Sequence, residues 1–175
     1  VIATRAPRVG VFRTHLWETV GASAAENFER TVRLLEKQGA VVEEVEAPAG
    51  FERITEKRAV INAFERARDF AGEWLDGNHA MGPLTRGISE RGFHISGSDY
   101  AAARRDVEQF RASALGMLAN VDIIVTPVTP GEAPEGTETT GDPRLQELWT
   151  MLHMPSMSVP SGRGESGLPL GLQIV

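Results

Sequence analysis

The first 45 residues place one long amphipathic segment between two short β-branched runs, and this order constrains the fold more than any other feature. Residues 9–12 and 41–45 have the composition of strands. Between them, Phe28, Val32 and Leu35 recur at the spacing of one helix face. The order predicts a β–α–β unit, in which a right-handed crossover joins two parallel strands.

The helix of this unit carries start and stop signals. Ser23 and Glu26 fit a capping box, in which the serine hydroxyl accepts from the backbone N–H of residue 26 and the glutamate reaches back. Gly39 suits the position after the helix because glycine readily adopts a left-handed backbone. We therefore expect the helix to begin at Ser23 and to stop at Gly39.

The chain beyond this unit predicts three further helices. A second helix is expected over residues 51–75, and a short one over residues 84–90. Residues that break helices stand between them: Gly77, Asn78, His79, Met81, Gly82 and Pro83. Ser98 or Asp99 is expected to cap the last long helix. Its core stripe advances in steps of three and four residues: Tyr100, Ala103, Val107, Phe110, Ala114 and Met117.

Three later segments predict strands. Residues 121–125 are too apolar and β-branched for a surface strand and are expected near the centre of the sheet. Residues 127–143 hold four of the ten prolines and predict a loop. Residues 156–159 and 168–175 predict the last two strands. The expected fold class is therefore α/β, with a mixed sheet flanked by helices.

The composition excludes several classes of site and partner. The chain has no cysteine, so it has no disulfide, no thiolate metal ligand and no cysteine nucleophile. Its net charge of −6 gives no reason to expect nucleic acid or an anionic membrane as partner. No apolar run reaches the ~18 residues of a membrane span, and a cytoplasmic location is expected. The histidines lack metal-binding spacing, so no metal is expected: His15, His79, His94 and His153.

Three glycines near the end match the pattern G-x-G-x-x-G, at Gly162, Gly164 and Gly167. A dinucleotide site needs a helix after these glycines, so that backbone N–H groups point at the pyrophosphate. Here a predicted strand follows, at residues 168–175. The glycines therefore predict a hairpin turn, and no organic cofactor is expected.

The chain offers little for nucleophilic catalysis. It contains no G-x-S-x-G turn. Its two lysines, Lys37 and Lys57, stand apart from any serine cluster. A serine nucleophile activated by lysine needs that lysine neutral and close by. No catalytic residue is therefore predicted within this sequence.

Residues 122–175 nevertheless carry a distinctive series of motifs. They contain D-I-I-V-T-P-V-T-P, then G-D-P, then W-T-M-L-H-M-P-S-M-S-V-P, and finally G-L-P-L-G-L-Q-I-V. In this order they resemble the C-terminal part of amidase signature family enzymes. The resemblance implies hydrolysis of a carboxamide through an acyl-serine intermediate on a Ser–Ser–Lys triad, which lies earlier in such enzymes. Residues 1–175 are therefore expected to form the C-terminal part of a single amidase domain, without its catalytic part and inactive alone.

The resemblance also implies which residues approach the acyl pocket. They are Thr126 and Pro127, in the Thr-Pro-x-x-Pro segment, and Trp149 and Thr150, before the Pro-x-x-Ser-x-Pro strand. Trp149 would supply an apolar wall and Thr150 a hydroxyl. Alternatively, Trp149 only packs between the loop and the sheet. His153 stands where the family commonly has glycine, and it is expected to narrow the pocket or to bond the substrate. Alternatively, it is a neutral substitution without a role in the pocket.

The expected partners are a small-molecule amide and the N-terminal part of the parent enzyme. The strand at residues 168–175 is expected to need neighbours on both sides. Without the rest of the parent enzyme, at least one edge of the sheet is expected to be open, and an open apolar edge favours self-association. Two alternatives remain open. One is a stand-alone α/β ligand-binding or regulatory module, with Thr14 and His15 at a strand end. The other is the A subunit of a glutamyl-tRNA amidotransferase, which belongs to the same family.

Overall fold

A five-stranded mixed sheet organises the larger of two compact units in the computed structural model, which describes residues 5–77 and 80–175. That unit, here the sheet unit, comprises Val1–Phe51 with Arg111–Val175, and the helical unit comprises Glu52–Phe110. The predicted helix breakers Asn78 and His79 lie outside the described residues.

The strands are β1 (Arg8–Val11), β2 (Val41–Glu44), β3 (Ile123–Pro127), β4 (Met157–Arg163) and β5 (Pro169–Ile174). Their order across the sheet is β2-β1-β3-β5-β4. Strand β1 pairs in parallel with β2 and β3, whereas β5 pairs antiparallel with β3 and β4. The predicted parallel pair, the central strand and the two-sided last strand are confirmed, and the fold class is α/β.

The helices are α1 (Ala22–Lys37), α2 (Ile54–Asp69), α3 (Ala71–Leu75), α4 (Pro83–Phe93), α5 (Gly97–Ala114) and α6 (Arg144–Met151). Single 3-10 turns occur at Trp17–Thr19, Phe51–Arg53 and Leu115–Leu118. The helix predicted over residues 51–75 is thus divided, with Phe70 between α2 and α3. The short helix predicted at residues 84–90 is longer at both ends.

The start of α1 differs from the prediction. Its N-cap is Gly21, and no side chain caps it, so the capping box of Ser23 and Glu26 is wrong. The backbone N–H of Gly21 donates to the carbonyl of Pro130 at 2.8 Å, and its own carbonyl accepts from Ala25 at 2.9 Å. This long-range bond belongs to an N-cap that lies two residues before the predicted one, so Ser23 lies inside the first turn.

The end of α1 agrees with the prediction. Gly39 has a φ of 93°, the left-handed conformation that glycine adopts without strain. Its N–H donates to the carbonyl of Glu36 at 2.9 Å, and the N–H of Ala40 donates to Leu35 at 3.0 Å. These two bonds form a Schellman motif, which satisfies the last carbonyls of the helix.

The start of α5 is also corrected. The backbone N–H of Asp99 donates to Oγ of Ser96 at 3.1 Å, and that hydroxyl donates to the Asp99 carboxylate at 2.6 Å. Ser96 is therefore the cap, and neither Ser98 nor Asp99 takes that role. The predicted core stripe is confirmed, because all its members are buried except the half-buried Tyr100.

The helical unit is held by close helix contact and by aromatic stacking. A Cβ at Gly92 of α4 would overlap the carbonyl of Ala63 in α2, so glycine lets the two helices touch. The rings of Phe64 and Tyr100 stack with centroids 4.1 Å apart, and the Tyr100 hydroxyl donates to Glu65 at 2.8 Å.

The sheet has two faces with different coverings, which we call the α1 face and the α6 face. On the α1 face, Val9, Val11, Val125 and Leu172 form one buried cluster with residues of α1, namely Phe28 and Val32. Successive residues of a strand point to opposite faces. The next residue in each strand therefore belongs to the α6 face.

The α6 face begins with aromatic packing at its β1 end. The ring of Phe12 lies edge-on to Phe51 and to Trp149 of α6, with centroids 6.1 and 5.8 Å away. Farther along, Thr126, Gln173 and Ser158 are direct partners across β3, β5 and β4. Direct partners share a face, so these three side chains form a polar row across the sheet.

Candidate functional site

A cavity of about 750 Å³ opens over Gln173 and Ser158 of the polar row on the α6 face. Its floor includes Ser156, Ser158, Gly171 and Gln173 from β4, β5 and the residue before β4. One wall is the loop after β3, at residues 128–134 and 140–142, and another is the side of α6 that carries Gln146 and Thr150. The remaining side of α6 is buried, at Leu145, Leu148 and Trp149.

Gly171 lets the loop come close to the floor. A Cβ at Gly171 would lie 2.6 Å from Cγ1 of Val128 and 2.9 Å from Oγ of Ser158. Any larger residue would push the wall outward or displace Ser158. The glycine therefore sets the width of the cavity at this point.

Gln173 is the polar centre of the floor. Its side chain is 4% exposed, and Nε2 donates to Oγ of Ser156 at 3.1 Å. Its Oε1 is buried and has no hydrogen-bond partner. The neighbouring Thr126 is 0% exposed and has an equally unpaired Oγ1. A buried polar atom without a partner costs roughly 1–3 kcal/mol, so these atoms require an explanation beyond stability.

Glu132 anchors the wall loop to the hairpin between β4 and β5. Its carboxylate accepts the backbone N–H of Ser166 at 3.0 Å and that of Leu168 at 2.7 Å. These backbone N–H groups, that of Ser166 first, stabilise the ionised form and lower the pKa of Glu132. A Cβ at Gly164 would overlap the Glu132 side chain, so glycine permits the contact.

The hairpin explains the glycines that match a dinucleotide pattern. The N–H of Gly164 donates to the carbonyl of Leu168 at 3.0 Å, and Gly167 has a φ of 80°. A Cβ at Gly162 would overlap Asn27 of α1. Two of the glycines thus permit close contacts, with Asn27 and with Glu132, and the third adopts a left-handed turn. The predicted hairpin is confirmed.

Asp142 is the second carboxylate at the cavity. It accepts the backbone N–H of Arg144 at 3.0 Å and the guanidinium Nε at 2.8 Å. The Arg144 side chain, more than its backbone N–H, lowers the pKa of this carboxyl. Both carboxylates that line the cavity are therefore ionised and already engaged by donors.

The predicted site residues occupy different environments. Thr150 lines the cavity. Thr126 and Pro127 are buried at the end of β3, with Thr126 beside Gln173 in the polar row. Trp149 is 0% exposed and packs on Phe12, and its indole N–H has no partner. The structure thus brings Thr150 to the cavity, Thr126 to the buried row beside Gln173, and Trp149 to the core.

His153 follows α6 in a left-handed conformation, with a φ of 55°. Its Nε2 lies 2.5 Å from a terminal nitrogen of Arg111, whose Nε donates to the carbonyl of Met151 at 2.8 Å. A guanidinium only donates, so Nε2 of the imidazole is the acceptor in this contact. Arg111 therefore fixes the turn after α6, and His153 lies outside the cavity lining.

Sequence reasoning missed Gln173, Ser158 and Glu132. The available signal for Gln173 was a single amide inside an otherwise apolar strand. Its neighbours in the polar row come from two other strands, β3 and β4, so only the pairing of the strands brings them together. Glu132 gave no signal, because its partners are backbone groups of a turn 34 and 36 residues away.

Other types of site find no support in the part of the chain that the structure describes. Across residues 5–77 and 80–175, no group of three or more His, Asp or Glu side chains is placed to hold a metal ion. Within the same residues, no helix is both long and apolar enough to span a membrane. Thr14 is buried, and its Oγ1 accepts the N–H of Leu16 at 3.0 Å, which makes it part of a turn.

Comparison with known proteins identifies the family. The amidase family model matches residues 2–175. The A subunit of glutamyl-tRNA(Gln) amidotransferase from Bacillus thuringiensis (strain Al Hakam) is 28% identical over 96% of this chain and 41% of its own. A crystal structure of an amidase superposes with a TM-score of 0.86 at 26% identity, covering 100% of this chain and 42% of that one.

A bacterial aryl acylamidase of the amidase signature family shares the fold, with a TM-score of 0.73 at 18% identity over 97% of this chain and 40% of that one. The chain spans about two-fifths of the length of these relatives. The family match over residues 2–175 and the shared fold lead to one conclusion: the chain belongs to the amidase signature family.

Proposed function

We propose that this chain is the C-terminal portion of an amidase, which hydrolyses a carboxamide C–N bond to an acid and ammonia or an amine. One observation carries the proposal within the family. The cavity lies between the loop that follows Thr126 and Pro127 and the helix that carries Thr150, the segments that the resemblance assigns to the acyl pocket. The cavity volume of about 750 Å³ suits a small molecule.

In this proposal the catalytic Ser–Ser–Lys residues belong to the rest of the parent enzyme. The nucleophilic serine attacks the amide carbonyl, the amine leaves, and water then releases the acid from the acyl-serine. Neither lysine of this chain suits the role of base. Lys57 is ion-paired with Asp106 at 3.1 Å, and Lys37 lies in the last turn of α1. The share of this chain is to hold and orient the acyl group.

Measurement of ammonia release tests whether the catalytic residues lie outside this chain. We expect no turnover of aliphatic or aromatic amides by the 175-residue chain alone, and turnover by the full-length protein that carries it. Turnover by the chain alone above a blank preparation, lost on mutation of a residue within it, would contradict the proposal. Failure of the full-length protein to hydrolyse any amide would remove the amidase assignment itself.

Two substitutions test the expected site residues in the full-length protein. If Trp149 shapes the acyl pocket, Trp149→Ala should change the ratio of kcat/KM between bulky and small amides, by about 1–3 kcal/mol of discrimination. If His153 narrows the pocket, His153→Gly should admit larger acyl groups, because it removes the imidazole. If both variants keep the substrate ratios and change only stability, the two residues are structural.

A second candidate is the A subunit of a glutamyl-tRNA amidotransferase. It is favoured by the curated relatives of that name, 28% identical to this chain. The net charge of −6 argues against direct contact with RNA by this part of the protein. Amide transfer to glutamyl-tRNA(Gln) by the full-length protein, and its co-purification with further subunits, would favour this candidate over a free-standing amidase.

A further inference from the structure

We propose that Gln173 is a specificity-determining residue, whose Oε1 accepts a hydrogen bond from a donor group on the acyl part of the substrate. The inference rests on the proposed function of the cavity. It names a substrate class: amides whose acyl chain carries a hydroxyl or ammonium group, in preference to amides whose acyl chain carries a carboxylate.

The side-chain amide of Gln173 is hydrogen-bonded at one end only. One end is paired, because Nε2 donates to Ser156 at 3.1 Å, and this bond fixes the orientation of the other end. That other end, Oε1, is buried without a partner on a residue that lines the cavity. In the free protein Oε1 is removed from water and has no hydrogen bond from the protein in exchange. A donor on a ligand restores the bond in a dry environment, where it is stronger than at the surface.

The lining of the cavity carries negative charge. Among the described residues around the cavity, the charged side chains are Glu132 and Asp142, and no arginine or lysine lines it. Asp142 is balanced by Arg144, whereas Glu132 is held by backbone N–H groups and keeps its full negative charge. An anionic acyl group would meet this charge without a cation to compensate it. A neutral donor would not be repelled by Glu132, and an ammonium group would be attracted to it.

The hydroxyl residues of the floor and of the α6 wall add no competing charge. Ser156, Ser158 and Thr150 are hydroxyl residues, and Gly171 has no side chain. Hydroxyls can accept as well as donate, so they tolerate the same substrates that Gln173 selects. The unpaired oxygen of Gln173 is therefore the feature that distinguishes one acyl group from another.

The test uses the full-length protein and four amides with four-carbon acyl chains: butyramide, 4-hydroxybutyramide, 4-aminobutyramide and succinamate. For the unmodified protein we expect kcat/KM to be higher for the hydroxyl and amino compounds than for butyramide, and lowest for succinamate. Gln173→Met should reduce the ratio of 4-hydroxybutyramide to butyramide by about fivefold to tenfold, the value of one hydrogen bond. Both rates come from one preparation, so an inactive misfolded fraction lowers them equally and does not change their ratio.

Gln38→Met is the matched control, because Gln38 is exposed at the end of α1 and does not line the cavity. It should leave the ratio unchanged. Gln173→Glu keeps an acceptor and adds a charge, so it should raise the preference for 4-aminobutyramide. Ser156→Ala, at an exposed position, frees Nε2 as a donor and should weaken the discrimination against succinamate. These two variants decide the matter if Gln173→Met does not fold.

The outcomes separate the two proposals. The role of Gln173 would be overturned if the unmodified protein, Gln173→Glu and Ser156→Ala all showed the same ratios of kcat/KM among the four amides. A preference of the unmodified protein for succinamate would overturn it too. Either result would leave the amidase assignment intact. Absence of turnover for every amide would overturn the amidase assignment, and the role of Gln173 with it.

Discussion

The two faces of the sheet are built from the same strands and serve different purposes. On the α1 face, Val125 and Leu172 are buried against Phe28 and Val32, and all of these side chains are apolar. On the α6 face, the next residues of the same strands are Thr126 and Gln173, which are also buried but have unpaired polar atoms.

The difference shows where stability and function separate. The α1 face follows the rule that buried strand residues are apolar and interdigitate. The α6 face breaks that rule next to a cavity, where unpaired atoms gain nothing for folding. Local departures of this kind are expected at functional sites. Each of the following predictions tests whether the two faces respond differently to substitution.

The largest effect is expected on the α1 face. Phe28 is 2% exposed and packs edge-on to Trp17 with centroids 5.5 Å apart. Phe28→Ala should lower the free energy of unfolding by about 3–5 kcal/mol, because it removes buried surface and leaves a cavity. Leu34→Ala on the same helix is the control, since Leu34 is 54% exposed and should change little. Urea denaturation measures both.

Substitution of Gln173 on the α6 face should not lower the free energy of unfolding. Gln173→Met removes a buried acceptor that has no partner, and it also loses the bond to Ser156. We expect the free energy of unfolding to stay unchanged or to rise by up to about 2 kcal/mol. A loss as large as that of Phe28→Ala would show that Gln173 is a structural residue, and the contrast between the faces would fail.

His153 allows a smaller test of backbone strain at the end of α6. Its φ of 55° suits glycine better than alanine. Both His153→Gly and His153→Ala lose the contact with Arg111, so their difference isolates the backbone. The glycine variant should be more stable than the alanine variant by about 1 kcal/mol, measured by thermal unfolding. Equal stabilities would mean that the turn relaxes.

Glu132 predicts a dependence of stability on pH at the wall of the cavity. Its pKa in the folded protein is lowered from 4.5, so its contribution to stability is present above that value and is lost as pH falls through the lower folded value. Asp122 and Asp142 have lowered pKa values too, so the comparison must be with a variant. Glu132→Gln should reduce the loss of melting temperature between pH 5 and pH 3, by a small amount because the group is exposed. An unchanged profile would contradict the anchoring role.

The smallest expected effect concerns the sheet edges, where self-association stays a prediction. Edge strand β2 is short and carries Glu43 and Glu44, and edge strand β4 contains Pro160 beside an irregularity in register. These features limit edge pairing. The exposed Met157 at the start of β4 is the more open position, so Met157→Lys should reduce any concentration dependence in sedimentation. A monomer at all concentrations with one cooperative transition would favour the stand-alone binding module.

Most elements were predictable because their signals are local. The spacing of Phe28, Val32 and Leu35 identified α1, and Gly39 identified its end, since both depend on residues a few positions apart. The start of α1 was not predictable. Its position depends on the bond between Gly21 and Pro130, which are distant in sequence. The cap at Ser96 was local but competed with two equally suitable neighbours.

The sequence by itself determined the class of fold, the order of the elements and the family, because periodicity and motif order are properties of the chain. Only the tertiary structure decided which face of each strand meets a helix and which meets a cavity. It placed Trp149 in the core, Thr150 at the cavity and Gln173 at its floor. The physical reason is that burial and hydrogen-bond satisfaction depend on what packs across the sheet, and no local pattern contains that information.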